Sequence, residues 1–132
     1  MNIEEQKRQR ESLKFMRMQN ARTLGEQYPE VEYVEVEAYL SFESGVGTFE
    51  EKDIQRVFRP SDLLYLHFDC LNKDCTGLGF DVTTEIRQAI INRETVELHW
   101  DCSGKEDWKY AHKATSCSCQ GKLDCVIRPH FA

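Results

Sequence analysis

The sequence predicts an α+β fold: a small, mostly antiparallel sheet with one short packed helix and a long N-terminal helix. Three observations predict it. A polar run with no Pro and no early Gly opens the chain, a period-two alternation follows it, and four cysteines fall in two clusters downstream. The alternation sets the sheet, because only a strand puts successive side chains on opposite faces.

Residues 3–26 contain no Pro, and no Gly before Gly25. They are rich in Glu, Gln, Lys, Arg, Leu, Met and Ala, which are good helix formers. Gly25 reads as the stop, with Pro29 beyond it. Leu13, Met16 and Leu24 share one side of such a helix, while Phe15 and Met18 point elsewhere, so the apolar stripe is broad and imperfect. The first ten residues are too polar to be buried. The reading is a charged N-terminal helix over residues 1–28, an extension to a single α+β domain over residues 29–132.

Val34, Val36, Ala38, Leu40 and Phe42 alternate with Glu35, Glu37, Tyr39, Ser41 and Glu43. This predicts a half-buried strand with an acidic outer face. Val31 and Tyr33 break the parity, which places a bulge near residue 33. Residues 44–47 read as a turn, residues 54–58 as a weaker strand, and Pro60-Ser61-Asp62 as its break. Leu64, Leu66, Phe68 and Cys70 share one face of a strand over 63–70, and Val96, Leu98, Trp100 and Cys102 share one face of another over 95–102. Between them, Thr83-Thr84-Glu85 supplies a cap and an acidic first turn. Ile86, Ala89 and Ile90 then give a short helix a buried stripe, which ends at Asn92 or Arg93. Residues 103–118 read as loop, with a helical turn around 108–112. Leu123, Cys125, Ile127 and Phe131 set the last strand, and Pro129 marks it as an edge strand or ends its pairing.

Each of the strands at 63–70 and 95–102 delivers a cysteine at its end. Cys70 and Cys75 stand in Cys-x4-Cys spacing, followed by Gly77 and Gly79. Cys102 precedes Ser103-Gly104, and Cys119 precedes Gln120-Gly121. No run reaches the length of a membrane span, and the first thirty residues carry no apolar h-region. A chain without a secretory signal is expected in the reducing cytoplasm, where clustered thiols serve metals more than disulfides. Cys70, Cys75, Cys102 and Cys119 are therefore the expected ligands of a structural Zn2+, four thiolates closing a tetrahedral site. Cys117 and Cys125 compete with Cys119 for the fourth place, and His112 is an outside candidate. Cys125 lies inside a strand and reads as a core thiol.

The stretch from Phe68-Asp69-Cys70 to Cys75-Thr76-Gly77-Leu78-Gly79-Phe80-Asp81-Val82 resembles a pattern of small uncharacterised bacterial proteins. In these, Cys-x4-Cys is followed by a Gly-rich turn, Phe-Asp, a short helix, Cys-x-Gly and a final cysteine. The resemblance covers residues 58–131. The extra cysteines 117 and 125 and the charged N-terminal helix depart from it. It implies a zinc-ribbon-like knuckle and no particular activity.

The chain carries 17 Lys and Arg against 23 Asp and Glu, a net charge of −6. That disfavours a protein whose main work is gripping phosphates. Charge is uneven, however. Residues 7–22 hold six cations against Glu11, and residues 30–53 hold eight acids against Lys52. A zinc deaminase pair, a His-Glu-x-x-His helix, a phosphate-binding glycine loop and a nucleophile elbow are all missing from the sequence. Tyr65, His67 and Asp69 on one strand, and Glu97, His99 and Asp101 on another, form a second metal or acid–base site only if those strands pair. Otherwise they are ordinary solvent-facing residues. Nothing marks a lowered thiol pKa in Cys117-Ser118-Cys119. The expectation is a non-enzymatic, zinc-stabilised binding protein that contacts another protein. The alternatives are a nucleic-acid module using the basic helix and a small metalloenzyme with an open zinc.

Overall fold

The computed structural model describes residues 3–43, 47, 49–71, 79–102, 105–107, 116–118 and 121–132. Helices and antiparallel sheet combine as the α+β class requires. The elements in order are α1 (Ile3–Gln19), α2 (Leu24–Gln27), β1 (Val31–Glu43), β2 (Phe49–Phe58), β3 (His67–Phe68), β4 (Phe80–Asp81), α3 (Thr83–Asn92), β5 (Val96–Asp101), β6 (Lys105–Asp107), β7 (Ser116–Ser118) and β8 (Gly121–Phe131).

A four-stranded antiparallel sheet runs β2-β1-β8-β5. β1 buries Val34, Val36, Ala38, Leu40 and Phe42, as the alternation predicts. Its register on β8 shifts between Val31 and Tyr33, so the expected bulge is present. β8 buries Leu123, Cys125 and Ile127 on the same face. Over that face lie Leu24 of α2, Leu64, Leu66, Phe68, Phe80 and Val82, and Ile86, Ala89 and Ile90 of α3, in one continuous core.

Several expectations are corrected. β8 is a central strand, paired with β1 and β5, and Pro129 sits opposite Val34 within the β1 ladder. The Cys102 N–H donates to the Gly121 carbonyl, so odd residues of β8 turn their backbone groups toward β5. β5 ends opposite Ile127, so the missing N–H of Pro129 falls where no neighbour asks for it.

The run 63–70 is not a strand of this sheet. Of this run, His67–Phe68 pairs with β4 and Leu63 makes an isolated bridge with Thr23. The alternation still read the burial correctly, since Leu64, Leu66 and Phe68 all point into the core. Their backbone is satisfied elsewhere. The Leu64 N–H donates to the Arg22 carbonyl, the Leu66 N–H to Thr83 Oγ1, and the Val82 N–H to the Leu66 carbonyl.

Thr83 is thus spent on Leu66 and does not cap α3. Val82 occupies the N-cap position without a side-chain bond, and Asp81 Oδ1 takes the Thr83 N–H. The helix ends at Arg93, which is left-handed (φ 52°, ψ 47°), as foreseen.

α1 stops at Gln19, before Gly25. Gly25 lies inside α2, capped by Thr23, and a Cβ there would meet Pro60 at 3.1 Å. Close approach of backbone, and not helix termination, explains this glycine. The broad apolar stripe of α1 left its docking face open. Arg10, Leu13 and Lys14 are half-buried, while Phe15, Met16 and Met18 face solvent. Charge explains this, since Lys14 Nζ lies 3.0 Å from Asp69 and Arg17 Nη1 lies 3.1 Å from Asp81.

β2 is longer than expected and forms one edge of the sheet, with exposed Glu50, Lys52 and Arg56 along it. Charges on an edge discourage further pairing. Residues 105–107 and 116–118 pair as strands where a loop was expected, with Cys117 opposite Glu106. The helical turn foreseen at 108–112 and most of the turn at 44–47 lie outside the described residues.

Gly79 closes the β3–β4 hairpin with φ 76°, and a Cβ there would lie 2.5 Å from the Phe68 carbonyl oxygen. The left-handed conformation alone costs a non-glycine residue about 1–2 kcal/mol. Gly79→Ala should therefore lower stability by more than about 2 kcal/mol, measured by urea unfolding. A change within a few tenths would show that the hairpin does not need this approach.

Candidate functional site

Two of the four expected zinc ligands fall among the described residues. Cys102 follows β5 directly, is buried, and belongs to the core cluster. Cys70 follows β3, is half-buried, and packs against the same cluster. The β3–β4 hairpin carries Cys70 in its connection, and the β5–β8 ladder brings Cys102 opposite Gly121, two residues after position 119. Cys75 and Cys119 themselves lie outside the described residues, as does His112. Among the described residues, no group of three or more His, Cys, Asp or Glu is placed to hold a metal ion.

Cys125 stands apart from these. It lies in the middle of β8, opposite Ala38 and Leu98, with its side chain in the core. Burial, and secondarily the negative charge of Glu85, pushes its thiol up to about 11. A thiol so held is a poor thiolate and a poor ligand. Its protonated form belongs to the folded state. In the unfolded chain the thiol ionises near its ordinary value of 9.0. The stability tied to Cys125 is therefore complete below pH 9 and declines as pH rises toward 11. Cys125 should stay unmodified by iodoacetamide in the folded protein at pH 8 and react once urea unfolds it, read by peptide mass spectrometry. Equal rates in both states would contradict this placement.

The paired histidine face does not exist. β3 and β5 are not neighbours, and the two rings lie in different places. His67 is only 2% exposed at its side chain, with Nδ1 3.6 Å from Asp69 and its ring against Gly79. His99 is open to solvent, 2.6 Å from Asp124 on β8. Period-two reading put His67 outside because it assumed a strand over 63–70. The hairpin instead folds Gly79 over the ring.

The outer face of the sheet is the other feature of note. α2, α3 and the β3–β4 hairpin pack on the opposite side, and α1 is ion-paired to that hairpin. The register aligns Glu51, Ser41, Lys122 and Asp101 in one row. The next row is Asp53, Tyr39, Asp124 and His99, and the next is Gln55, Glu37, Val126 and Glu97. Acids of three strands beyond β1 thus join those foreseen on it. Internal pairs brace the face. Arg128 lies 3.3 Å from Glu37, and His130 Nε2 lies 2.9 Å from Glu35 while its ring stacks on Tyr33. The Tyr39 hydroxyl donates to Glu51, a bond that pushes its pKa up to about 12. Carboxylates still predominate on this surface.

Among the described residues, no helix is long and apolar enough to cross a membrane. Compared with protein-family models, with curated proteins and with solved structures, the chain matches none.

Proposed function

We propose that this chain is a zinc-stabilised binding protein whose acidic sheet face receives a basic surface of another protein. The observation that carries the reading is the face of β2-β1-β8-β5 opposite α2, α3 and the β3–β4 hairpin, on which four strands align their carboxylates in rows. Charge complementarity selects the partner: a segment rich in Lys or Arg, steered by the field of the face and held with a strong dependence on salt.

Zinc belongs to the other side of the molecule. Cys70 and Cys102, both set against the core, would supply two thiolates, and Cys75 and Cys119 the remaining two, in the zinc-ribbon-like manner that the Cys-x4-Cys resemblance implies. Its role is to tie the β3–β4 connection to the end of β5. Native mass spectrometry under reducing conditions should find one zinc per chain, lost with folded structure in Cys70→Ser and in Cys102→Ser. A folded chain without metal would overturn this part of the reading.

The contact surface has its own test. A synthetic arginine-rich peptide should bind the protein at low salt, and Glu37→Lys with Asp124→Lys should weaken it by about tenfold or more, measured by fluorescence anisotropy. Unchanged binding by the doubly reversed variant would remove the face from consideration. The nucleic-acid alternative is weakened by α1 itself, because Lys14 and Arg17 are turned toward Asp69 and Asp81. The metalloenzyme alternative loses its shared histidine face, since His67 and His99 do not meet.

A further inference from the structure

A cleft of about 480 Å³ opens between the end of α1 and the first turn of α3, away from the cysteines and the open sheet face. Its volume falls in the range of small-molecule sites. Its lining includes the donor-bearing residues Arg17, Asn20, Tyr65, Thr84 and Arg87. One carboxylate, Asp81, shares the lining, and both of its oxygens are engaged. Oδ1 accepts from the Thr83 N–H at 3.0 Å and Oδ2 from Arg17 Nη1 at 3.1 Å.

Two of the donors are stranded. The Tyr65 hydroxyl oxygen and Arg87 Nε are shielded from solvent, and neither has a hydrogen-bond partner among the described residues. A buried donor left unmet destabilises a fold, so such groups are ordinarily satisfied. Asp81 offsets Arg17, which leaves Arg87 as a cation with no carboxylate partner among the described residues. The cleft is therefore a pocket of protons and positive charge waiting for acceptor oxygens. Burial raises the Tyr65 pKa, with Asp81 adding to the effect, so its hydroxyl remains a donor across the neutral range. The dipole of α3 adds positive potential at the same place.

We infer that this cleft binds a small molecule through an oxyanionic group, a phosphate or a carboxylate, whose oxygens accept from Arg87 and the Tyr65 hydroxyl. A planar guanidinium suits either group, since both present two oxygens in the geometry of its paired N–H bonds. Arg17 and Asn20 extend from α1 on the opposite wall and complete the cradle. The lining holds none of the expected zinc ligands and no residue of the acidic rows.

Isothermal titration of the full chain in a low-salt, chloride-free buffer tests it, with inorganic phosphate and succinate as separate probes. Binding of either probe is expected, and the probe that binds identifies the oxyanion. Arg87→Gln should weaken it by at least about tenfold and Tyr65→Phe by about fivefold. Tyr65→Phe also separates ligand binding from a structural role. The hydroxyl has no partner among the described residues, so its removal should leave the melting temperature unchanged or raise it while binding falls. Failure of both probes at millimolar concentration, or binding that neither substitution alters, would overturn the inference.

Discussion

β8 is hydrogen-bonded along both edges but can be covered on only one face, and the rest of the molecule is arranged by that constraint. Its odd residues Leu123, Cys125 and Ile127 are fully apolar, and β1 aligns its even residues beside them. A sheet with one apolar face needs a second layer over that face. α3 alone is ten residues long and too short to cover four strands. The remainder of the lid is assembled from short pieces, Leu24 of α2, the extended run through Leu64 and Leu66, and the β3–β4 hairpin. Because none of these pieces is a long regular element, their backbone groups are satisfied by local arrangements such as the Thr83 hydroxyl on Leu66.

This explains which parts of the fold were legible in the sequence. β1 was legible through its parity, and its bulge through the break in parity at Tyr33. α3 was legible through Ile86, Ala89 and Ile90. Periodicity reports which side chains are buried and is silent on where the backbone bonds go. Residues 63–70 show the difference, with correct burial and the wrong partner. Pro129 misled for a related reason, since a proline excludes only the bond on its own side. At β8 that side lies beyond the end of β5. α1 left its docking face open, because its apolar stripe was broad. Asp69 and Asp81, which pair with Lys14 and Arg17 across 55 and 64 residues of chain, set that face.

The candidate residues divide along the same line. Cys70 and Cys102 were singled out from spacing and strand ends, and both lie against the core layer. The acidic face was half visible, because β1 alone announced it, whereas its width comes from the pairing of β1 with β2 and β8 and of β8 with β5. The cleft left no sequence signal at all. Arg17, Tyr65, Asp81 and Arg87 are separated by long stretches of chain, and each reads locally as a surface residue or a turn. Only the unmet Tyr65 and Arg87 donors, visible once the fold is built, distinguish the place.

One wall of that cleft is an N-terminal helix held through ion pairs of partly exposed groups. Such pairs contribute up to about 1 kcal/mol each, and screening at physiological salt acts over roughly 8 Å. The seating of α1 is thus a balance and not a fixed joint. Ionic strength sets how often Arg17 and Asn20 stand opposite α3. A bound anion touching both Arg17 and Arg87 would act as a shared counterion, shifting that balance toward the seated helix. The exposed Phe15, Met16 and Met18 ride on the same rigid body, so the orientation of that apolar surface would become a readout of what the cleft holds.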